Sequence, residues 1–284
     1  APPLKLLVMS ATLDHVAVAE LLDGAPVVSS DGRQYPVETR YGAAYQLRDP
    51  VVPAVVQAVL RAVQEEDGSI LVFLPGQREI MTAARELTGL LRAGGHRDIH
   101  VLPLYGGLSL ERQQQAILPP APGERKIVLS TNLAETSLTI EGVSVVVDSG
   151  LVREAVFDPP TGMTRLATRR ITRASAEQRQ GRAGRLGPGT CYRLWSEQQH
   201  RRLVARATPE ILQADLAPLA LQLLSWGVED TAELAWLDRP PEGPYRQAIA
   251  VLERCGAAFQ NDAGRFQLTP HGVRLAQMPL HPRL

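Results

Sequence analysis

Residues 175–185 read SAEQRQGRAGR and gather groups that act on anions. With Ser175 as N-cap and Gln178 at the third helical position, the stretch forms an S-x-x-Q capping box. Gln178, Arg182 and Arg185 then recur at i, i+4 and i+7, which predicts one amide and two guanidinium groups on a single helical stripe. Gly181 and Gly184 fall on another face. Each costs about 1 kcal/mol relative to alanine inside a helix, so a close approach to the sheet or to a ligand is expected there. A planar guanidinium suits bidentate phosphate contact. The only lysines are Lys5 and Lys126, so a general preference for arginine accounts for the residue type equally well. Residues 151–206 hold twelve arginines, no lysine and four acidic residues, eight positive charges in excess, although the chain as a whole is neutral. Such a segment fits an anionic partner or a solvated basic face.

Absent motifs narrow the chemistry. Neither lysine follows a glycine loop, so there is no G-x-x-x-x-G-K-[ST] to cradle a triphosphate, and no convincing acidic strand end to hold magnesium. H-E-x-x-H, G-x-S-x-G and C-x-x-C are missing too. Cys191 and Cys255 read as core residues in a reducing compartment. His96 and His100 are four apart, but Gly94 and Gly95 precede them and no further ligand is near, so a solvated loop is expected and no metal site. No apolar run approaches the roughly 20 residues of a bilayer span and no signal-peptide layout opens the chain; the cytoplasm is the default compartment, without a membrane partner. The arginines thus face a nucleotide that these 284 residues cannot hold alone. Arginine fingers offered across an interface would meet that need.

The elements that must position these groups follow from the apolar pattern. Runs of strand length recur at 6–10 (LLVMS), 70–74 (ILVFL), 99–104 (IHVLPL), 126–130 (KIVLS) and 143–149 (VSVVVDS), and amphipathic stretches occupy 53–66 and 77–92. Apolar strands alternating with helices predict an α/β domain built on a parallel sheet covered on both faces. Ligands bind such sheets at the carboxyl ends of the strands. There Ser130, Thr131 and Asn132 offer hydroxyls and free N–H groups to a phosphate, or simply cap the next helix. Residues 153–172 alternate as a β-hairpin turning at 158–162, its flanks carrying Arg153, Arg165, Arg169, Arg170 and Arg173. That hairpin suits a nucleic-acid backbone or a charge-protected edge. Beyond residue 206, a capped helix over 208–227, another over 244–257, a hairpin turning at 261–264 and a helix restarting at 269 predict a small winged-helix domain.

These stretches in order resemble a known family. QRQGRAGR (178–185) resembles motif VI of the superfamily 2 helicases of the DEAH/RHA group. SAT (10–12) resembles their motif III, LVFLPGQREI (71–80) motif IV, and STNLAETSLTIEGVSVVVDSG (130–150) motif V. The closing part is most similar to the bacterial HrpB-type branch. The resemblance implies the end of one RecA-like lobe at 1–36, a second RecA-like lobe with a β-hairpin insertion at 37–204, and a winged helix with the start of a further helical domain at 205–284. It implies that Arg185 is the finger, that Arg182 joins it on the phosphates and that Gln178 positions water. Thr139, Glu141 and Gly181 would line the nucleotide, Ser10 and Thr12 would couple hydrolysis to lobe movement, and Thr131, Asn132, Gly76 and Arg153 would touch a nucleic-acid backbone. ATP and Mg2+ would be held mainly by an upstream lobe bearing the Walker A and DEAH motifs, so the chain reads as a fragment beginning at motif III. A single-stranded nucleic acid, RNA ahead of DNA, is the implied partner of a monomer; a motor that tracks the backbone reads phosphates, which leaves RNA and DNA both open. The family often has an aromatic residue near Ile117 to stack on adenine, and an aliphatic there weakens base selectivity. The alternative function is a non-catalytic nucleic-acid-binding or partner-docking module.

Overall fold

The computed structural model describes residues 4–9, 15–29, 35–136, 138–159, 161–228 and 230–284. The chain forms two compact units, one of Asp31–Glu154 and Leu166–Ala207, the other of Ala1–Ser30, Ala155–Arg165 and Thr208–Leu284.

The second of these units includes helix α1 (His15–Leu21), which the sequence reading does not anticipate. The apolar run expected as a first strand does not pair: residues 4–9 form no strand, and Leu6, Leu7 and Met9 are exposed. Apolarity alone does not make a strand, whose backbone groups need a neighbour to bond.

The larger unit is built on β1 (Val37–Tyr41), β2 (Ser69–Phe73), β3 (Ile99–Leu104), β4 (Arg125–Ser130), β5 (Val143–Asp148) and, after the hairpin, β8 (Gly189–Arg193). They form one parallel sheet in the order β1-β8-β5-β2-β4-β3. Alternate residues serve opposite faces, as strand geometry requires. Ile70 and Val72 of β2 join the core formed with α2 (Val51–Glu65) and α3 (Gln77–Ala93), whereas Leu71 and Phe73 join the core that includes Ala116 of α4 (Leu110–Ile117) and Ala134 of α5 (Leu133–Thr136). His100 lies in β3 and meets Glu124 at 3.1 Å, so it belongs to an edge strand and not to a loop.

The hairpin is β6 (Leu151–Asp158) and β7 (Met163–Arg170), closed by the Gly162 N–H on the Asp158 carbonyl at 2.8 Å. Next come α6 (Arg173–Gly181) and, after β8, α7 (Glu197–Arg201).

In the other unit, the single helix expected over 208–227 is broken. A 3-10 turn, Glu210–Leu212, precedes α8 (Ala217–Ser225), because the Asp215 side chain accepts from the Ala217 N–H (2.9 Å) and Pro218 suits a first turn. Helix α9 (Glu242–Arg254) packs on α8, a two-stranded wing of β9 (Ala258–Gln260) and β10 (Phe266–Leu268) follows, and α10 (Pro270–Ala276) starts from a Thr269 cap. Among the described residues no helix is long and apolar enough to cross a membrane.

Candidate nucleotide-facing site

The site assembles where β5 ends. Asp148, the last residue of β5, is fully buried, and its Oδ1 accepts from the Gly150 N–H at 2.8 Å, with Gly150 in the left-handed region at φ 70°. The same oxygen accepts from Arg179 Nη1 at 2.9 Å, while Arg179 Nε reaches Glu135 of α5, also at 2.9 Å. The Arg179 guanidinium lies 4.8 Å from the Phe73 ring centroid and is 1% exposed. A buried charge is tolerable only when paired, and here two carboxylates overcome the cost of burial and hold Arg179 above the ordinary arginine value.

Helix α6 departs from the expected geometry in two respects. Its N-cap is Thr172, whose hydroxyl accepts from the Ser175 N–H (3.1 Å), so Ser175 sits inside the first turn and no capping box forms with Gln178. The helix also ends at Gly181: Arg182 is its C-cap and Arg185 lies in the following turn. The single helical stripe is therefore replaced by a helix end and a turn. Gly184 explains the change, because a Cβ there would stand 2.6 Å from the Tyr35 carbonyl oxygen and 2.7 Å from Val37 Cγ2, while its own carbonyl accepts from the Tyr35 N–H. The chain is pulled onto the edge of β1, which a continuing helix could not reach.

The three arginines of the motif differ in their partners. Arg182 is buried, yet its guanidinium meets only backbone carbonyls, those of Glu135 (Nε, 2.9 Å) and Leu138 (Nη1, 2.5 Å). Burial first, and then the neighbouring Arg185 charge, bring it down to about 10 against a weaker opposing pull from Glu135. Arg185 is exposed and donates to the Thr139 hydroxyl at 2.7 Å. Neither makes an ion pair among the described residues. Arg179 is neutralised within the fold; Arg182 and Arg185 lie near enough to repel one another, and among the described residues neither has a carboxylate in ion-pair contact.

The remaining expected residues fall into groups. Gln178 and Gly181 are half-buried on α6, and Gln178 makes no side-chain hydrogen bond among the described residues. Glu141 is exposed near Thr139. The Thr131 hydroxyl accepts from the Leu133 N–H (3.4 Å), the capping role left open by the sequence, and Asn132 is exposed beside it. Gly76 and Arg153 meet: a Cβ at Gly76 would lie 2.6 Å from Arg153 Nη1, and Arg153 Nη2 pairs with Glu79 at 3.0 Å. Ser10 and Thr12 lie outside the described residues.

Sequence reasoning overlooked Arg179, Glu135 and Asp148, as well as Lys126. The Lys126 ammonium is buried and donates to the Ala116 and Ile117 carbonyls at 3.0 and 3.2 Å, capping α4 beneath Ile117, with burial lowering it to about 8. The one available signal was a lysine inside an apolar strand.

Residues 52–187 match the domain family described as the helicase conserved C-terminal domain. The chain is 46% identical over 283 residues to the ATP-dependent RNA helicase HrpB of Escherichia coli, covering 99% of this chain and 34% of that protein. It is 39% identical over 287 residues to the pre-mRNA-splicing factor ATP-dependent RNA helicase prp22 of Schizosaccharomyces pombe, covering 100% of this chain and 24% of that protein. The crystal structure of the Escherichia coli DEAH/RHA helicase HrpB matches with a TM-score of 0.89 at 44% identity, over 98% of this chain and 34% of that one. The chain thus spans about a third or less of the length of these relatives. With its RecA-like parallel sheet, the chain matches the helicase conserved C-terminal domain and is similar over nearly its whole length to the DEAH/RHA helicase HrpB.

Proposed function

We propose that this chain is the C-terminal motor lobe, with an adjoining winged helix, of an ATP-dependent RNA helicase, and that Arg182 and Arg185 complete a triphosphate site whose other half is a partner lobe. The observation that carries this reading is that, among the described residues, neither of two adjacent guanidinium groups, one of them buried, makes an ion pair. Unlike the lone buried Lys126, which neutral carbonyls hold, these two like charges repel one another, and an anion between them would relieve that repulsion. The donor set fits phosphate: two planar guanidinium groups with the Gln178 amide nearby. It does not fit a metal ion, since among the described residues no group of three or more His, Cys, Asp or Glu is placed to hold one. A bound Mg2+ would therefore rest on the other lobe.

The triphosphate supplies the bond that is broken; the residues of this chain orient and neutralise. Arg185, exposed and held by one hydroxyl, is free to swing onto a terminal phosphate and stabilise charge developing in transfer. Arg182 adds charge from the helix end, and Gln178 is placed to orient an attacking water. Thr139 and Glu141 flank the same pocket. Thr131 and Asn132, at the opposite end of α5, and the Gly76 backbone face a single strand of nucleic acid. The arginine content of the hairpin supports backbone tracking, which reads phosphates and not bases. Closing and opening of the lobes on nucleotide would move the strand.

The test is steady-state ATPase of the full-length protein with single-stranded RNA at fixed salt. Arg185→Ala is expected to lower kcat by about a thousandfold or more, the range of arginine fingers. Activity within about threefold of the unmodified protein would refute the assignment, and ATP turnover by the isolated 284-residue chain would refute the need for a partner lobe.

A further inference from the structure

Helix α6 is gripped on two faces by buried guanidinium groups. Arg179 of the helix itself reaches Asp148 and Glu135. From below, Arg193 at the end of β8 donates from Nη2 to the Gln180 side-chain oxygen at 2.7 Å and to the Ala176 carbonyl at 3.4 Å. Ala176 and Gln180 are four residues apart, so Arg193 spans one turn along one face of the helix. Its Nη1 donates to the Tyr41 hydroxyl at 2.8 Å and lies 3.2 Å from His200 Nε2 of α7. The rings of Tyr41 and Trp195 stand 5.5 and 5.7 Å from its Cζ. Arg193 is 4% exposed and makes no ion pair among the described residues. Among the described residues its two Nη groups meet only neutral partners, a phenol, an amide, a carbonyl and an imidazole, with two aromatic faces beside the guanidinium, and its buried Nε has no hydrogen-bond partner.

We propose that Arg193 is a positioning residue for the 178–185 segment and that the neutral His200 ring is one of the acceptors through which it holds that segment. The proposal rests on the reading that this segment completes a triphosphate site. With Arg179 fixing one face and Arg193 another, α6 can neither rotate nor slide. The direction in which the chain leaves at Gly181 is thereby set, and with it the reach of Arg182 and Arg185. A displacement of about 1 Å in such a segment is enough to cost on the order of a hundredfold in rate.

His200 makes the hold sensitive to protons. The groups facing it are Arg193 of β8 and Arg173 of α6, which oppose a proton, Glu177 of α6 and Asp148 of β5, which favour one, and the phenol of Tyr41 on β1. Burial and the two arginines prevail, so the ring stays neutral below the ordinary histidine range. Protonation would remove the lone pair that accepts from Arg193 and set a second cation against it. The folded value is depressed, so the hold is complete at neutral pH and is lost as pH falls through that value.

The test uses full-length protein carrying Arg193→Gln, His200→Gln or Arg185→Ala, with kcat and KM for ATP measured from pH 8 to about 5. Arg193→Gln is expected to lower kcat on the order of tenfold or more at pH 8, with KM moving less than about threefold, because the misplaced arginines act on charge that develops in transfer. His200→Gln keeps an acceptor that does not titrate here, so the ratio of kcat at pH 5.5 to that at pH 8 should rise above that of the unmodified protein. A folded Arg193→Gln protein with kcat within about twofold of the unmodified one overturns the proposal, as does a His200→Gln protein with an unchanged pH ratio. If Arg193→Gln does not fold, the His200→Gln ratio decides alone. Loss of activity in Arg185→Ala with no effect of Arg193→Gln overturns only this inference; full activity of Arg185→Ala overturns the triphosphate reading beneath it.

Discussion

Asp148→Ala isolates the difference between an arginine that builds the fold and one that awaits a ligand. Asp148 is fully buried and Arg179 is 1% exposed, so after the substitution the guanidinium cannot reach water and keeps only Glu135 as counter-charge. Removing one partner from a buried pair costs about 3–5 kcal/mol, and the Gly150 N–H loses its acceptor for about 1 kcal/mol more. The surviving Glu135 contact pulls the total toward the lower end, so we expect about 4 kcal/mol. Urea unfolding, followed through amide exchange of β2 and β5, reads the stability of the sheet unit directly. The double variant Asp148→Ala/Arg179→Met should recover part of the loss, because it removes the stranded charge as well as its partner. A single variant within about 1 kcal/mol of the unmodified chain would refute the claim that Arg179 is neutralised by the fold.

Gly184→Ala puts a methyl 2.6 Å from the Tyr35 oxygen and 2.7 Å from Val37 Cγ2, which the edge of the sheet cannot yield cheaply, so a loss of about 1–3 kcal/mol is expected in the same urea measurement. Burial lowers Lys126 from an ordinary 10.5 to about 8, so the folded chain binds this proton less readily than the unfolded one. Stability should therefore climb as pH rises from about 8 toward 10.5 and fall back as pH drops through 8; Lys126→Met should lose that component of the slope between pH 7 and 10, and an unchanged slope would contradict it.

The centre of the fold is legible because β2, β4 and β5 are buried on both faces and so read as apolar runs. Strands β1 (VETRY) and β8 (GTCYR) escape the pattern for different reasons. The first is an edge strand whose Glu38 and Arg40 are charged, and the second buries the polar side chains of Thr190 and Arg193. The run at 6–9 shows the converse error, apolar residues without a strand to pair with. At the site, residue types and spacing point to an anion, but they cannot rank three arginines that look alike. Arg179 is distinguished by carboxylates 44 and 31 residues away in sequence, and those contacts exist only once the sheet has formed. Where α6 ends is likewise set by Gly184 meeting β1, a tertiary contact that overrides the 3.6-residue period.

The most direct measurement is a crystal structure of the full-length protein with ADP and a phosphoryl-transfer mimic such as aluminium fluoride. The account predicts the guanidinium groups of Arg182 and Arg185 within about 3.2 Å of the mimic, with Arg179 still on Asp148 and Glu135. A bound mimic with Arg182 still on the Glu135 and Leu138 carbonyls, and Arg185 turned to solvent, would contradict it.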